Sequence, residues 1–170
     1  MLSKESKQYL NDGIASTQYG TEISNAIDAS TVNEYTTIIT SAQLLALNST
    51  PVLILPTPNV GQTIRLLSWD VTFLPGTTPY TITNPNDIIG LLYGMGDPCA
   101  LLPQAGLLDQ LGSVSQSIVP NAGQPAPGGG GGIAVGFDSY EPVLLGATNS
   151  PTLGDGALKM RVRFQIAQSL

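Results

Sequence analysis

The sequence predicts an all-β protein: a jelly-roll-like sandwich or barrel preceded by an extended N-terminal arm and holding a short helix or two. Three observations carry that expectation. Turn clusters of Asn, Pro and Gly recur at short intervals, the runs between them are short or alternate apolar with polar residues, and long helical periodicity is nearly absent. A chain of 170 residues accommodates one domain with a sizeable core and leaves some residues for arms or loops. We divide it into an arm, residues 1–34, and a β domain, residues 35–170.

The arm is polar, with Tyr9, Ile14, Tyr19, Ile23 and Ile27 thinly spread along it. Ile23 and Ile27 sit four apart, a spacing that allows one or two amphipathic turns, but nothing here builds a core alone. We read it as an extended anchor lying on a neighbouring subunit; the alternative for such a composition is a disordered tail. From Tyr35 the pattern changes. Thr36 to Thr40 is β-branched and predicts a strand, after which Thr40 or Ser41 caps a short helix through Ala42, Leu44, Leu45 and Leu47, stopped by Asn48-Ser49-Thr50-Pro51. Val52-Leu53-Ile54-Leu55 is a strand apolar on both faces, and Pro58-Asn59-Val60-Gly61 is a turn.

The next run alternates, placing Leu67, Trp69, Val71 and Phe73 on a buried face and Ser68, Asp70 and Thr72 on a wet one. A loop opens at Pro75-Gly76 and closes at Asn84-Pro85-Asn86-Asp87, before a strand at Ile88 to Tyr93. Leu101, Leu102, Leu107, Leu108 and Leu111 are interrupted by Pro103, Gly106 and Gly112, which predicts a short helix or irregular packing, followed by a strand at Val114 to Val119. Residues 120–132 hold Pro125-Ala126-Pro127 followed by a run of five consecutive glycines and predict a long surface loop. The closing strand is the plainest: Leu158, Met160, Val162, Phe164 and Ile166 alternate with Lys159, Arg161, Arg163 and Gln165.

Composition narrows the function. Charged residues make up 11% of the chain and hydrophobic ones 42%, against about 25% charged in an average soluble domain. Such a surface is expected to be covered in part by other subunits. The chain has no histidine, and no Lys or Arg lies between Arg65 and Lys159. Those are the residue types from which acid–base catalysis and electrostatic clamps are mostly drawn, so we expect a building block and not an enzyme. Cys99 stands alone and reads as a small buried hydrophobe. A net charge of −6 argues against a nucleic-acid partner. Lys4 and Lys7 are followed by no apolar run, and no stretch reaches a membrane span, so we expect cytoplasmic assembly and no membrane partner.

Four groups remain as candidates for chemistry or binding. Lys159, Arg161 and Arg163 share one strand face, and are read first as a solvated face with local ion pairs, or else as a ribbon that meets an acidic patch on a neighbour. Asn84, Asn86 and Asp87, or Asp155 between two glycines, have oxygens for Ca²⁺ but no calcium-loop spacing, and turn chemistry explains them. Trp69, Tyr80 and Tyr93 would make a sugar platform if exposed together, although Trp69 shares its face with core residues. The five glycines lack the Lys-Ser or Lys-Thr of a phosphate cradle. We therefore expect no metal and no cofactor.

The block Leu47-Asn48-Ser49-Thr50-Pro51, the aliphatic strand ending at Pro56, the turn Pro58-Asn59-Val60-Gly61 before a long strand, and the closing run from Gly154-Asp155-Gly156 to Phe164 resemble small structural proteins of tailed bacteriophages. The resemblance covers about Thr36 to the end and implies a β-sandwich protein of the virion, plausible as a head decoration or cement protein. On that basis the expected partners are the major capsid protein and the chain itself, as a homotrimer. The expected location is the outer surface of the head, and the candidate contacts are Tyr9, Tyr19, Ile23, Ile27, Lys159, Arg161 and Arg163. The alternatives are a receptor- or glycan-binding domain of a tail or fibre, and a neck or tail adaptor.

Overall fold

The structure is a computed structural model and describes residues 31–94, 97–119 and 139–168. Among the described residues, eight strands form two four-stranded antiparallel sheets packed face to face. They are β1 (Asn33–Ile39), β2 (Val52–Leu55), β3 (Gln62–Leu74), β4 (Ile88–Tyr93), β5 (Asp97–Pro103), β6 (Val114–Ile118), β7 (Val143–Ala147) and β8 (Ala157–Gln168); the helix α1 (Ser41–Leu45) lies between β1 and β2. One sheet runs β1-β8-β3-β6 and the other β2-β7-β4-β5. Pairs β1·β8, β2·β7, β3·β6 and β4·β5 are those of a single long hairpin turned between β4 and β5. Rolling that hairpin adds β3·β8 and β4·β7, which is jelly-roll connectivity.

Local chemistry explains the joints. Thr40 caps α1, its Oγ1 accepting from the Gln43 N–H at 3.4 Å while the Thr40 N–H donates to Gln43 Oε1 at 2.9 Å, a reciprocal capping box. Gly61 takes φ +80° in the turn before β3, where the Gln62 N–H closes on the Asn59 carbonyl at 2.9 Å. The turn before β8 also requires glycine: Gly154 has φ +88°, and a Cβ on Gly156 would stand 2.6 Å from the Phe73 ring. Between them Asp155 accepts from Thr77 Oγ1 at 2.6 Å and from the Thr78 N–H at 2.8 Å, tying this turn to the loop after β3.

The core lies between the sheets. Ile39, Ile64, Leu66, Trp69, Val71, Phe73, Leu158, Met160 and Val162 come from one side, and Ile89, Leu91, Tyr93, Leu102, Val143 and Leu145 from the other. Leu44 and Leu47 from the α1 segment, and Leu107 and Leu108 from the loop after β5, complete it. Tyr80 packs edge-on to Phe73 with centroids 6.1 Å apart and donates its hydroxyl to the Gly156 carbonyl at 2.7 Å.

Three expectations need correction. Leu67 is not on the core face, because a β-bulge between Leu66 and Ser68 sets it outside the register. The bulge reverses parity, so Ile64 and Leu66 are buried before it and Trp69, Val71 and Phe73 after it. Leu101 and Leu102 belong to strand β5 and not to a helix, since β4 offers them a full antiparallel partner. Leu107 and Leu108 do sit in irregular turns, buried, while Leu111 is exposed. The first strand begins at Asn33, two residues before the boundary read from composition, because Glu34 pairs with Arg163 across the ladder. The arm residues Tyr9, Tyr19, Ile23 and Ile27 and the glycine loop lie outside the described residues.

Replacing Tyr80 with Phe leaves the Gly156 carbonyl buried without its donor and is expected to cost about 1–3 kcal/mol in urea unfolding at neutral pH. Burial, with Asp155 nearby, pushes the Tyr80 hydroxyl from 10.0 up to about 12. An acid held protonated by the fold contributes fully below its ordinary value and loses that contribution as pH climbs toward the raised one. Unfolding midpoints are therefore expected to fall between pH 10.0 and about 12, and to fall less in Tyr80→Phe.

Candidate functional site

The two sheets turn unlike faces outward. All four bases of the described residues lie in β3 or β8: Arg65, Lys159, Arg161 and Arg163. Register places Lys159, Arg161 and Arg163 on the outer face of the β1-β8-β3-β6 sheet, in rows with Glu34, Thr36 and Ile38 on one side and Ser68, Asp70 and Thr72 on the other, while Arg65 stands opposite Gln165. Arg161 donates through Nε at 3.0 Å and Nη2 at 2.8 Å to the same oxygen of Asp70, whose other oxygen accepts from Ser117. Arg163 donates to Glu34 at 3.1 Å, and Thr72 shares a 2.9 Å hydrogen bond with Ser115.

Lys159 stands in register between Ile38 and Thr72, on a shallow polar depression of about 300 Å³ that also includes Glu34, Asp70 and Arg161. The Ser117 hydroxyl, the largest influence, holds the Asp70 carboxyl below the usual range; burial, second in size, opposes it, and Arg161 and Arg163 add to the lowering. Two of the three bases singled out from the sequence thus have acid partners inside their own sheet.

The β2-β7-β4-β5 sheet is the opposite. β2, β4 and β7 contain no charged residue, and β5 contains only Asp97, at its first position. Leu53, Leu144, Leu92 and Pro98 line up across all four strands on the outer face. Beside them runs a second row of Gly146, Gly90 and Leu101. Leu53 is 56% exposed. Gly90 and Gly146 face each other across β4 and β7, and floor an apolar furrow of about 230 Å³ bounded by Ile88, Leu92, Pro98 and Leu101. A Cβ on Gly90 would stand 2.4 Å from Leu101 and 2.7 Å from the Ala100 carbonyl, so the leucines close over the glycines.

This face was missed in reading for chemistry. Its signal was present: Ile88–Tyr93 and Val143–Ala147, like Val52–Leu55, are apolar at both parities, a pattern of strands covered on both sides.

The other candidates resolve into structure. Trp69 and Tyr80 are in the core and Tyr93 is 8% exposed, so they form no sugar platform. Asn84 and Asp87 close a turn, with the Asp87 N–H on the Asn84 carbonyl at 2.9 Å and the Asn86 N–H on Asn84 Oδ1 at 3.0 Å. Asp87 is buried and accepts from Asn149 at 2.7 Å, next to Gln104, which spans the Ile88 and Asn149 carbonyls. Among the described residues no group of three or more His, Cys, Asp or Glu is placed to hold a metal ion. Cys99 is buried at the β4–β5 bulge, and burial pushes its thiol up to about 12, leaving it inert as a nucleophile. The chain matches no protein-family model and no curated protein.

The Arg161–Asp70 pair is half-exposed, and a double-mutant cycle is expected to give a coupling of about 0.2–1 kcal/mol, the surface value. A carboxyl whose value is lowered by folding stabilises above its ordinary value, near 3.9, and loses that as pH falls through the lowered one. Acid unfolding of the wild type is expected to steepen below about pH 4, and Asp70→Asn to remove part of that slope.

Proposed function

We propose that this protein is a non-catalytic structural component of a bacteriophage virion, a decoration or cement protein that binds the major capsid protein on the outer head lattice and stabilises the shell. The observation that carries the reading is the uncharged outer face of the β2-β7-β4-β5 sheet. A small domain that displays a whole apolar sheet face is suited to being covered, and such patches mark interaction surfaces.

Jelly rolls serve as viral capsid, lectin and cupin domains, and the fold alone does not choose among them. A lectin role would draw on exposed aromatics, and here Trp69, Tyr80 and Tyr93 are spent on the core. Cupin-like metal chemistry has no histidine to draw on. The phage-like turns and closing strand, which lie in well-formed elements, add support. The mechanism is cumulative: each subunit buries apolar surface at a lattice joint, and many such contacts acting together resist outward pressure.

Purified protein incubated with heads stripped of it and then sedimented is expected to bind at saturation in numbers on the order of hundreds per head, as a lattice ligand does. A handful per particle would move the protein to the neck or tail, and no binding would overturn the reading. Removing residues 1–30, which spares β1, is expected to leave the urea midpoint unchanged and to weaken binding to heads about tenfold or more. Unchanged occupancy would show that the arm is no anchor.

A further inference from the structure

We propose that the outer face of the β2-β7-β4-β5 sheet is a self-association surface whose occupant is the same face of a second copy of this chain. Charge is the first argument. Each copy carries −6, so two copies repel unless they meet where acids are absent. Three of the four strands here are free of charge, and the fourth has Asp97 only at its end. Two such faces close without stranding an unpaired charge in a low-dielectric contact.

Shape is the second argument. The same face carries both a knob and a hole: Leu53, 56% exposed on the edge strand, and the furrow of about 230 Å³ over Gly90 and Gly146. A cavity of roughly 150 Å³ takes a benzene-sized group, so the furrow has room for a leucine side chain. A two-fold axis lying in the plane of the contact, oblique to the strands, sets each copy's Leu53 ridge toward the other's furrow. An isologous contact of this kind uses one patch twice, whereas a closed ring of three needs a second, complementary patch. The other sheet is a poor source for that patch, because its outer face is tied up in the Arg161–Asp70 and Arg163–Glu34 pairs.

Area is the third. Four strands about 4.8 Å apart and five residues long give a flat footprint of roughly 300 Å². The patch continues past Leu53 into a mostly apolar groove of about 410 Å³ beside α1, lined by Ala42, Ala46, Pro51 and Val52 together with Gln43 and Thr50. The sheet footprint falls short of the roughly 800 Å² per partner of a standard interface and the groove adds only its rim, so the contact belongs with the small, transient interfaces, with a Kd on the order of tens of micromolar.

The inference goes beyond the decoration reading, since such a dimer forms in solution with no head present. Sedimentation equilibrium of the full chain from about 1 to about 200 μM brackets the expected Kd. The wild type is expected to pass from monomer to dimer. Leu53→Glu should weaken the dimer about 30-fold or more, while Ile38→Glu, at an equally exposed position on the other sheet, should leave it unchanged. Circular dichroism and the urea midpoint check that both fold, and Leu53→Gln, milder and neutral, should still weaken the dimer about fivefold. A wild type that stays monomeric, one that forms trimers, or a dimer indifferent to both Leu53 variants would overturn the proposal. Head and second copy would compete for this one face, so head binding is scored on its own: a wild type that dimerises but binds no heads overturns the decoration reading alone, and one that binds heads but stays monomeric overturns the dimer alone.

Discussion

The last of the described strands holds the first. β8 lies between β1 and β3, pairing with Asn33–Ile39 on one side and with nearly the whole length of β3 on the other. Without it the β1-β8-β3-β6 sheet separates into an isolated strand and a two-stranded ribbon, neither of which has enough partners to be stable. The same strand supplies Leu158, Met160 and Val162 to the core and Lys159, Arg161 and Arg163 to the surface. Core packing and surface electrostatics therefore depend on one register. Because that register joins residues from 83 positions apart (Leu74 with Ala157) to 131 (Asn33 with Phe164), chain closure precedes its reward and folding is expected to be slow for the domain's size.

Once the roll is closed, it has two outward sheet faces and few charges with which to wet them. The described bases are all on one sheet, where Arg161 and Arg163 meet acids and the hydroxyls of Thr72, Ser115 and Ser117 complete a polar network. That face is suited to water, and its ion pairs are worth little in stability because they are half-exposed. The other sheet keeps leucines, prolines and facing glycines outward. In an isolated domain this arrangement forgoes the free energy of burying that surface, on the order of 25 cal/mol per Å². The division gains a physical reason only when the second face is covered.

Much of this was legible in the sequence. The β8 alternation and the Thr40 cap with Gln43 three residues on are local patterns, and they stand where local chemistry places them. Leu67 was misplaced because alternation was read as unbroken, although the switch from Ile64 and Leu66 to Trp69, Val71 and Phe73 is itself the mark of a bulge. β5 was hidden for a different reason. Its Pro98 and Pro103 argue against a central strand, but β5 is an edge strand, where proline is tolerated. The uncharged face was the hardest to see as a site, since no single residue announces it. It exists only when Leu53, Leu92, Leu101 and Leu144, from four separate strands, are brought onto one surface by pairing.

The central claim is that one sheet face stays wet and the other is covered. Hydroxyl-radical footprinting of the full chain at a series of concentrations tests it most directly, with Leu111 and Leu153, both well exposed and outside the sheets, as internal references. The account predicts that Leu53 and Leu144 react far less than those references at high concentration and gain reactivity on dilution. Leu53 reacting in proportion to its exposure at every concentration, and unchanged when the protein is bound to heads, would contradict it.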